Sequence, residues 1–172
     1  MHPEQQIFCL RVKQQYFPFY RPFAGAKVLD CGSLDLNGNN RFLFHKCDYT
    51  GIDIQPGDNV DTVCAIHDWK AKAETYDTII CTEVLEHDEH WPDSLRNMYR
   101  MLKPNGLIII TCATGSREPH SMFQNGPPID GEYYQNLTEA DFRSVWASNL
   151  FDRFSFHIGR DNKDLYFWGV KR

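Results

Sequence analysis

Lys27-Val28-Leu29-Asp30-Cys31-Gly32-Ser33 and, further along, Tyr49-Thr50-Gly51-Ile52-Asp53-Ile54 decide how this chain is read. Each is a short strand-forming run that ends at a turn carrying glycine or an acidic side chain. In open α/β sheets ligands bind in the crevice beyond the carboxyl ends of the strands, and an acidic residue about 20 positions after the first glycine can accept hydrogen bonds from ribose hydroxyls. Asp53 lies 21 residues after Gly32. The two segments therefore predict neighbouring parallel strands with a nucleoside-containing ligand at their turns.

Outward from that pair, apolar runs suited to buried strands recur at 61–66, 76–82 and 106–113, separated by polar or helical stretches. That is the rhythm of a parallel sheet. Within 92–102 the spacing of Leu95, Met98, Tyr99 and Leu102 predicts a crossover helix, which Pro104-Asn105-Gly106 stops. Ile7, Phe8, Leu10 and Val12 give a weaker period over 4–16, so residues 1–20 are expected to hold a helix that packs over the ligand end. A short helix is expected at 41–46. Thr138-Glu139-Ala140-Asp141 opens a helix over 138–146 in the manner of a capping box. Two aromatic strands, 151–158 and 165–170, then close the chain as a hairpin. Only about seven residues, 55–61, join the second strand to the third, whereas a parallel crossover normally takes a dozen or more. A helix is missing there. The expected fold class is α/β: one Rossmann-like domain over residues 1–172, a mostly parallel seven-stranded sheet with a C-terminal antiparallel hairpin and a shortened connection after strand 2.

Residues 114–137 break the rhythm with Gly, Pro, Ser and Asn. Loops of that length in compact domains are functional or disordered, and His120, Phe123, Tyr133 and Tyr134 within it favour a substrate lid. The length suits one core, and 42% hydrophobic residues argue against disorder. A net charge of −5 carries no basic footprint for long nucleic acid. No apolar run reaches the roughly 18 residues of a membrane helix, and no signal segment opens the chain, so a cytoplasmic location is expected. Cys9, Cys31, Cys47, Cys64, Cys81 and Cys112 form no C-x-x-C pair and read as free, buried thiols. A homodimer is left open.

A dinucleotide site would want G-x-G-x-x-G after the first strand. Here Leu34 stands where the second glycine would admit a phosphate, so a nicotinamide oxidoreductase is the weakest reading. The chain instead resembles the class I S-adenosylmethionine-dependent methyltransferases, in particular the small-metabolite enzymes, over most of its length. Val28 to Ser33 look like the first motif, beside the methionine part of the cofactor, and Tyr49 to Ile54 like the second. Cys64-Ala65-Ile66-His67-Asp68 occupy the third, and Tyr76 to His87, with the Glu83-Val84-Leu85-Glu86-His87 turn, the fourth. Leu102-Lys103-Pro104-Asn105-Gly106 to Ile110 match the turn into the fifth strand. The resemblance implies S-adenosylmethionine as cofactor, bound by Asp30, Cys31, Gly32, Ser33, Asp53, Ile54, Ala65, Ile66 and Thr82. It assigns the ribose hydroxyls to Asp53 and an adenine face to Ile54. The chain departs from the pattern in lacking the later glycines of the first turn and in having Cys64 where aspartate is frequent. The adenine amino contact then falls to backbone or to a neighbour such as Asp68.

The expected reaction is methyl transfer to a small-molecule acceptor, at oxygen rather than nitrogen. A histidine suits removal of the acceptor proton, and His87, Glu83 and His120 are the candidate catalytic residues. If the stretch after the fourth strand is helical, Glu83 and His87 share one face. The first expectation is a site without metal. The alternative is a metal-assisted O-methyltransferase acting on a diol or a ribose end, with a divalent cation on Glu83, Glu86 and His87. Glu-x-x-Glu-His also resembles the metal-binding motif of ubiquinone-pathway and small-RNA 2'-O-methyltransferases, in which a more distant residue, a part open to His120, completes the set. A non-catalytic module that binds S-adenosylmethionine is the rival from another class. Trp69, Trp91, Trp146 and Trp168 read as packing, although Trp69 is placed to cover adenine. Tyr133 and Tyr134 divide evenly between substrate contact and the lead into a helix.

Overall fold

The computed structural model describes residues 3–16 and 22–172. Strands β1 (Lys27–Cys31), β2 (Asp48–Asp53), β3 (Thr62–Val63), β4 (Tyr76–Thr82), β5 (Leu102–Ala113), β6 (Phe151–Ile158) and β7 (Asp164–Lys171) form one sheet in the order β3-β2-β1-β4-β5-β7-β6. The first five run parallel, and β7 lies antiparallel between β5 and β6. The mixed sheet and terminal hairpin are as the sequence predicts. The strand order reverses between β1 and β4, which opens a crevice at their carboxyl ends.

Alternation along the central strands sorts side chains between two cores. Ile79, Cys81, Ile108, Ile110 and Cys112 join Leu29 and Cys31 beneath α2 (Trp91–Met101) and α3 (Glu139–Val145). Ile80, Leu107, Ile109 and Val170 face α1 (Pro3–Tyr16) through Cys9 and Val12. Asp30, one residue out of phase with Leu29 and Cys31, points to the α1 side. Thr138 caps α3 as expected: its hydroxyl accepts from the Asp141 amide at 3.3 Å and the Asp141 carboxylate accepts from the Thr138 amide at 2.8 Å.

Several boundaries differ from expectation, each for a local reason. The third strand is two residues, not six. Beyond Val63 the chain enters a 3-10 turn, Ile66–Asp68, because Asn97 of α2 draws the carbonyls of Ile66 and Trp69 to its amide at 2.7 and 3.1 Å. The fifth strand starts at Leu102 rather than 106, since Leu102 pairs with Tyr76 before a bulge carries the register on to Thr78 and Leu107. The helix expected at 41–46 is a 3-10 turn, Arg41–Leu43, cut short where Lys46 takes φ +50° and His45 bridges to Ala24. The helix within 1–20 is seen as Pro3–Tyr16, and positions 1, 2 and 17–21 lie outside the described residues. Cys47 and Cys64 are half-buried, and all six thiols are free.

Among the described residues no α-helix directly follows β1, β2 or β3, so loops lead out of the carboxyl ends of these strands. Residues 114–137 have no regular structure but are pinned: Gln135 donates to the Glu86 carbonyl at 2.8 Å, Leu137 to Ala113 at 2.9 Å and the Asn136 side chain to Arg117 at 2.8 Å. They lie across the ends of β4 and β5. No helix among the described residues is long and apolar enough to cross a membrane.

Candidate active site

The first turn is held by backbone. Gly32 has φ +74°, and a Cβ there would stand 2.0 Å from Val84 Cγ2. Only glycine fits where this turn passes the one after β4. The Gly32 and Ser33 amides donate to the Ile52 carbonyl at 2.8 and 3.0 Å, tying the turn to β2. Cys31 sends its side chain into the α2 core and offers only backbone here. Asp30 is buried, and burial pushes its carboxyl up to about 6. Its Oδ1, Ser33 Oγ and Asn40 Oδ1 are buried without a hydrogen-bond partner among the described residues, while Asn40 donates to Thr82 Oγ1 at 2.9 Å. Buried acceptors left unpaired cost about 1–3 kcal/mol each. A ligand bearing an ammonium group would satisfy them.

Asp53 accepts from the Leu34 amide at 3.1 Å and the Gln55 amide at 2.9 Å. An ionised carboxylate offers about four lone-pair positions, which leaves room for two ribose hydroxyls. Ile54 beside it is 51% exposed, an apolar face without cover. Ala65 and Ile66 stand at the turn that Asn97 fixes. Asp68, the neighbour considered for adenine, turns instead toward His67 at 3.4 Å and Lys70 at 3.9 Å. Trp69 packs into the core and donates to the Tyr76 hydroxyl at 3.0 Å, at the opposite end of β4. The structure thus gathers Asp30, Gly32, Ser33, Asp53, Ile54, Ala65, Ile66 and Thr82 at the carboxyl ends of β1 to β4.

The turn after β4 is not α-helical. Glu83 takes φ +58° and a 3-10 turn, Leu85–His87, follows. Glu83 and His87 therefore do not share a helix face. The Glu83 carboxylate accepts from Thr111 Oγ1 at 3.0 Å and lies beside Gln5 of α1; burial, then the charge of Asp164, raises its carboxyl. Glu86 turns the other way, toward His87 and His120, one ligand atom of each of the three lying within 4.8 Å of the others. Glu86 is fully buried, with no well-formed hydrogen bond to either oxygen among the described residues. Burial and then the charge of Glu83 push its carboxyl well up, against the pull of the nearby Glu86 and Ala113 amides. His87 is drawn down to about 4 by burial and then by His120. The His87, His120 and Tyr134 rings meet edge to face, with centroids 5.0, 5.0 and 5.3 Å apart. His120 Nδ1 lies 3.2 Å from the Glu118 carbonyl. A carbonyl can only accept, so Nδ1 carries the proton and Nε2 is left as an acceptor.

Several contributors escaped the sequence. Glu132 shapes the loop by accepting from Ser121 Oγ at 2.7 Å, the Met122 amide at 3.1 Å and the Ile129 amide at 2.7 Å. Asn40 and Asn97 work through contacts some 30 to 40 positions away, which no local spacing announces. Tyr134, which the sequence left between substrate contact and the lead into a helix, packs against His87 and His120.

The profile of a family described as a methyltransferase domain matches residues 6–155. No curated protein matches the sequence. Among solved structures, the Burkholderia thailandensis 1,6-didemethyltoxoflavin-N1-methyltransferase, with S-adenosylhomocysteine bound, superposes with a TM-score of 0.64 at 15% identity, over 95% of this chain and 78% of that one. The Haemonchus contortus phosphoethanolamine N-methyltransferase 2, also with S-adenosylhomocysteine, gives 0.63 at 13%, over 94% and 52%. The [4+2]-cyclase SpnF gives 0.62 at 12%, over 94% and 80%. Identities this low carry the fold and not the acceptor. The matched span, running from α1 into β6 through every turn of the cofactor end, places the chain in the methyltransferase-domain family, as an S-adenosylmethionine-dependent methyltransferase.

Proposed function

We propose that this methyltransferase acts on a hydroxyl of a small acceptor seated between the turn after β4 and the 114–137 segment. The observation that carries the reading is the convergence of Glu86, His87 and His120 at the carboxyl end of β4, with both Glu86 oxygens unpaired. Bound S-adenosylmethionine supplies a methyl carbon on a sulfonium, set up for in-line displacement. Asp30, Ser33, Asn40 and Thr82 would hold its amino-acid part beside the Gly32 turn, Asp53 its ribose, and Ile54, Ala65 and Ile66 its adenine. The chain's remaining task is alignment, which is worth several kcal/mol, and removal of the hydroxyl proton. His120 Nε2 takes that proton; His87, neutral at neutral pH, packs against it. A neutral imidazole and a Glu86 carboxyl pushed toward its neutral form leave the pocket with little charge, a better match for a hydroxyl than for an alkylammonium. An acidic chain suits small acceptors over long nucleic acid.

The test is turnover of S-adenosylmethionine with a panel of small diols, phenols and amines, the methyl position being read by NMR. Methyl groups on oxygen, with turnover lost in His120→Ala, are the expected result. Methylation confined to nitrogen, or full turnover in His120→Ala, overturns the reading.

One observation favours a metal-assisted variant at the same place. A buried carboxylate without partners among the described residues, beside two imidazoles of which His87 is held neutral by its burial, is a competent ligand set for a divalent cation. Glu86, His87 and His120 would hold it, with Glu83 engaged elsewhere, and it would orient and acidify the acceptor oxygen. Equilibrium dialysis with cobalt decides: one equivalent bound, and lost in Glu86→Gln, supports the variant. No binding, or equal turnover in chelator, removes it.

A further inference from the structure

Asp30 uses its two carboxylate oxygens unequally. Oδ1 is buried and makes no hydrogen bond among the described residues. Oδ2 accepts from the Tyr49 hydroxyl at 2.5 Å and, more weakly, from Asn59 Nδ2 at 3.4 Å. Tyr49 comes from β2, two residues before Gly51, which sits opposite Asp30 in the register. Asn59 comes from the segment that stands where a crossover helix would be. It takes φ +71°, donates to the Ser33 carbonyl at 2.9 Å and accepts from Arg41 Nε at 2.6 Å. Arg41 lays its guanidinium over the Tyr49 ring at 4.2 Å and pairs with Asp61 at 3.7 Å, and Asp61 accepts from the Gly51 amide at 2.7 Å. The arrangement depends on glycine at position 51, where a Cβ would stand 2.2 Å from the Asn59 carbonyl and 2.6 Å from Ser33 Oγ. Segment 54–61 thus folds down onto the first turn and, with Arg41, encloses one side of Asp30.

We infer that Tyr49, Asn59 and Arg41 are positioning residues for the cofactor: Tyr49 and Asn59, both braced by Arg41, occupy one oxygen of Asp30 and so present the other to the α-ammonium group of S-adenosylmethionine. The inference rests on the assignment of Asp30 to the amino-acid end of the cofactor. A carboxylate held by a hydroxyl and a side-chain amide on one oxygen is fixed in rotation, so the free oxygen has one place to point. The same contacts favour the charged carboxylate, which the ammonium needs. Tyr49, Arg41 and Asn59 each pull the Asp30 carboxyl down against its burial, while Asp53 pushes it up. The neighbouring thiols of Cys9 on α1 and Cys31 on β1 are themselves driven up by burial and by Asp30, and so stay neutral.

Calorimetric titration with two ligands tests this. S-adenosylhomocysteine carries the ammonium group; 5'-methylthioadenosine lacks the whole amino-acid end. For the wild-type protein, affinity for S-adenosylhomocysteine should fall as the pH drops through about 6, and affinity for methylthioadenosine should not. Tyr49→Phe keeps the ring under Arg41 and removes only the hydroxyl. It should bind S-adenosylhomocysteine roughly tenfold more weakly at pH 7, move the pH fall upward, and bind methylthioadenosine as wild type does. Arg41→Met, on an exposed side chain, should shift the profile the same way by less. Equal losses for both ligands would make the tether merely structural and overturn the inference. So would unchanged binding in Tyr49→Phe while Asp30→Asn is weak. Wild-type affinity in Asp30→Asn would instead remove the assignment of Asp30 on which the inference stands.

Discussion

The proposed cofactor end and the proposed acceptor end of the crevice are built on different principles. At the proposed cofactor end, Asp30, Gly32, Asp53 and Thr82 lie on or just after strands and the sheet register brings them together, with Asn40 joining through its bond to Thr82. At the acceptor end, Glu86 and His87 follow β4, but His120 and Tyr134 arrive on a segment without regular structure, held by Gln135, Asn136 and Glu132. The contrast suggests that the cofactor end resists change through backbone geometry, while the acceptor end can be respecified by loop contacts without disturbing the sheet.

That contrast can be broken experimentally. The largest effect is expected from His120→Ala, a loss of about 10²- to 10⁴-fold in turnover once an acceptor is in hand, with S-adenosylhomocysteine affinity unchanged in calorimetry. A matching loss of affinity would merge the two ends into one. Gly32→Ala should do the reverse. A side chain at φ +74° costs about 1–3 kcal/mol, and its clash with Val84 displaces the first turn, so both the denaturation midpoint and S-adenosylhomocysteine binding should fall. Asp53→Ala should weaken binding by about 1–3 kcal/mol with little change in melting temperature. Asn97→Ala, remote from the crevice, should cost about 0.5–1.5 kcal/mol of affinity by freeing the turn at Ile66. Unaltered binding there would take that turn out of the site.

The smallest effect sharpens the comparison through pH. His87 takes up its proton near pH 4 in the folded chain, against 6.5 when unfolded. Between those values the unfolded state holds more protons, so stability is full above 6.5 and declines as pH falls toward 4. In metal-free buffer, His87→Gln should show a shallower fall in melting temperature across that window; an identical slope would place the imidazole in solvent.

How much could be read in advance divides along the same line. The parallel strand rhythm, the terminal hairpin, the capping box at Thr138 and the short connection after β2 were legible because each depends on local periodicity or on turn chemistry; the order of the strands in the sheet does not. The residues proposed for the cofactor could be grouped from the sequence because strand ends place them. What failed depended on partners distant in sequence. Asn97 ends β3 early from α2, and the bulge in β5 is set by Tyr76 pairing with Leu102. Glu83 looked like a neighbour of His87, yet its positive φ and its bond to Thr111 turn it toward α1. A five-residue motif names the ligating atoms but not the direction in which each one points.

The most direct test of the account is calorimetric titration of S-adenosylhomocysteine into the wild-type protein, Asp53→Ala and the double variant His87→Ala/His120→Ala. The account predicts saturable one-to-one binding by the wild type, clear weakening in Asp53→Ala and wild-type affinity in the double variant. Wild-type affinity in Asp53→Ala together with loss of binding in the double variant would contradict it, by placing the cofactor at the histidine end of the crevice.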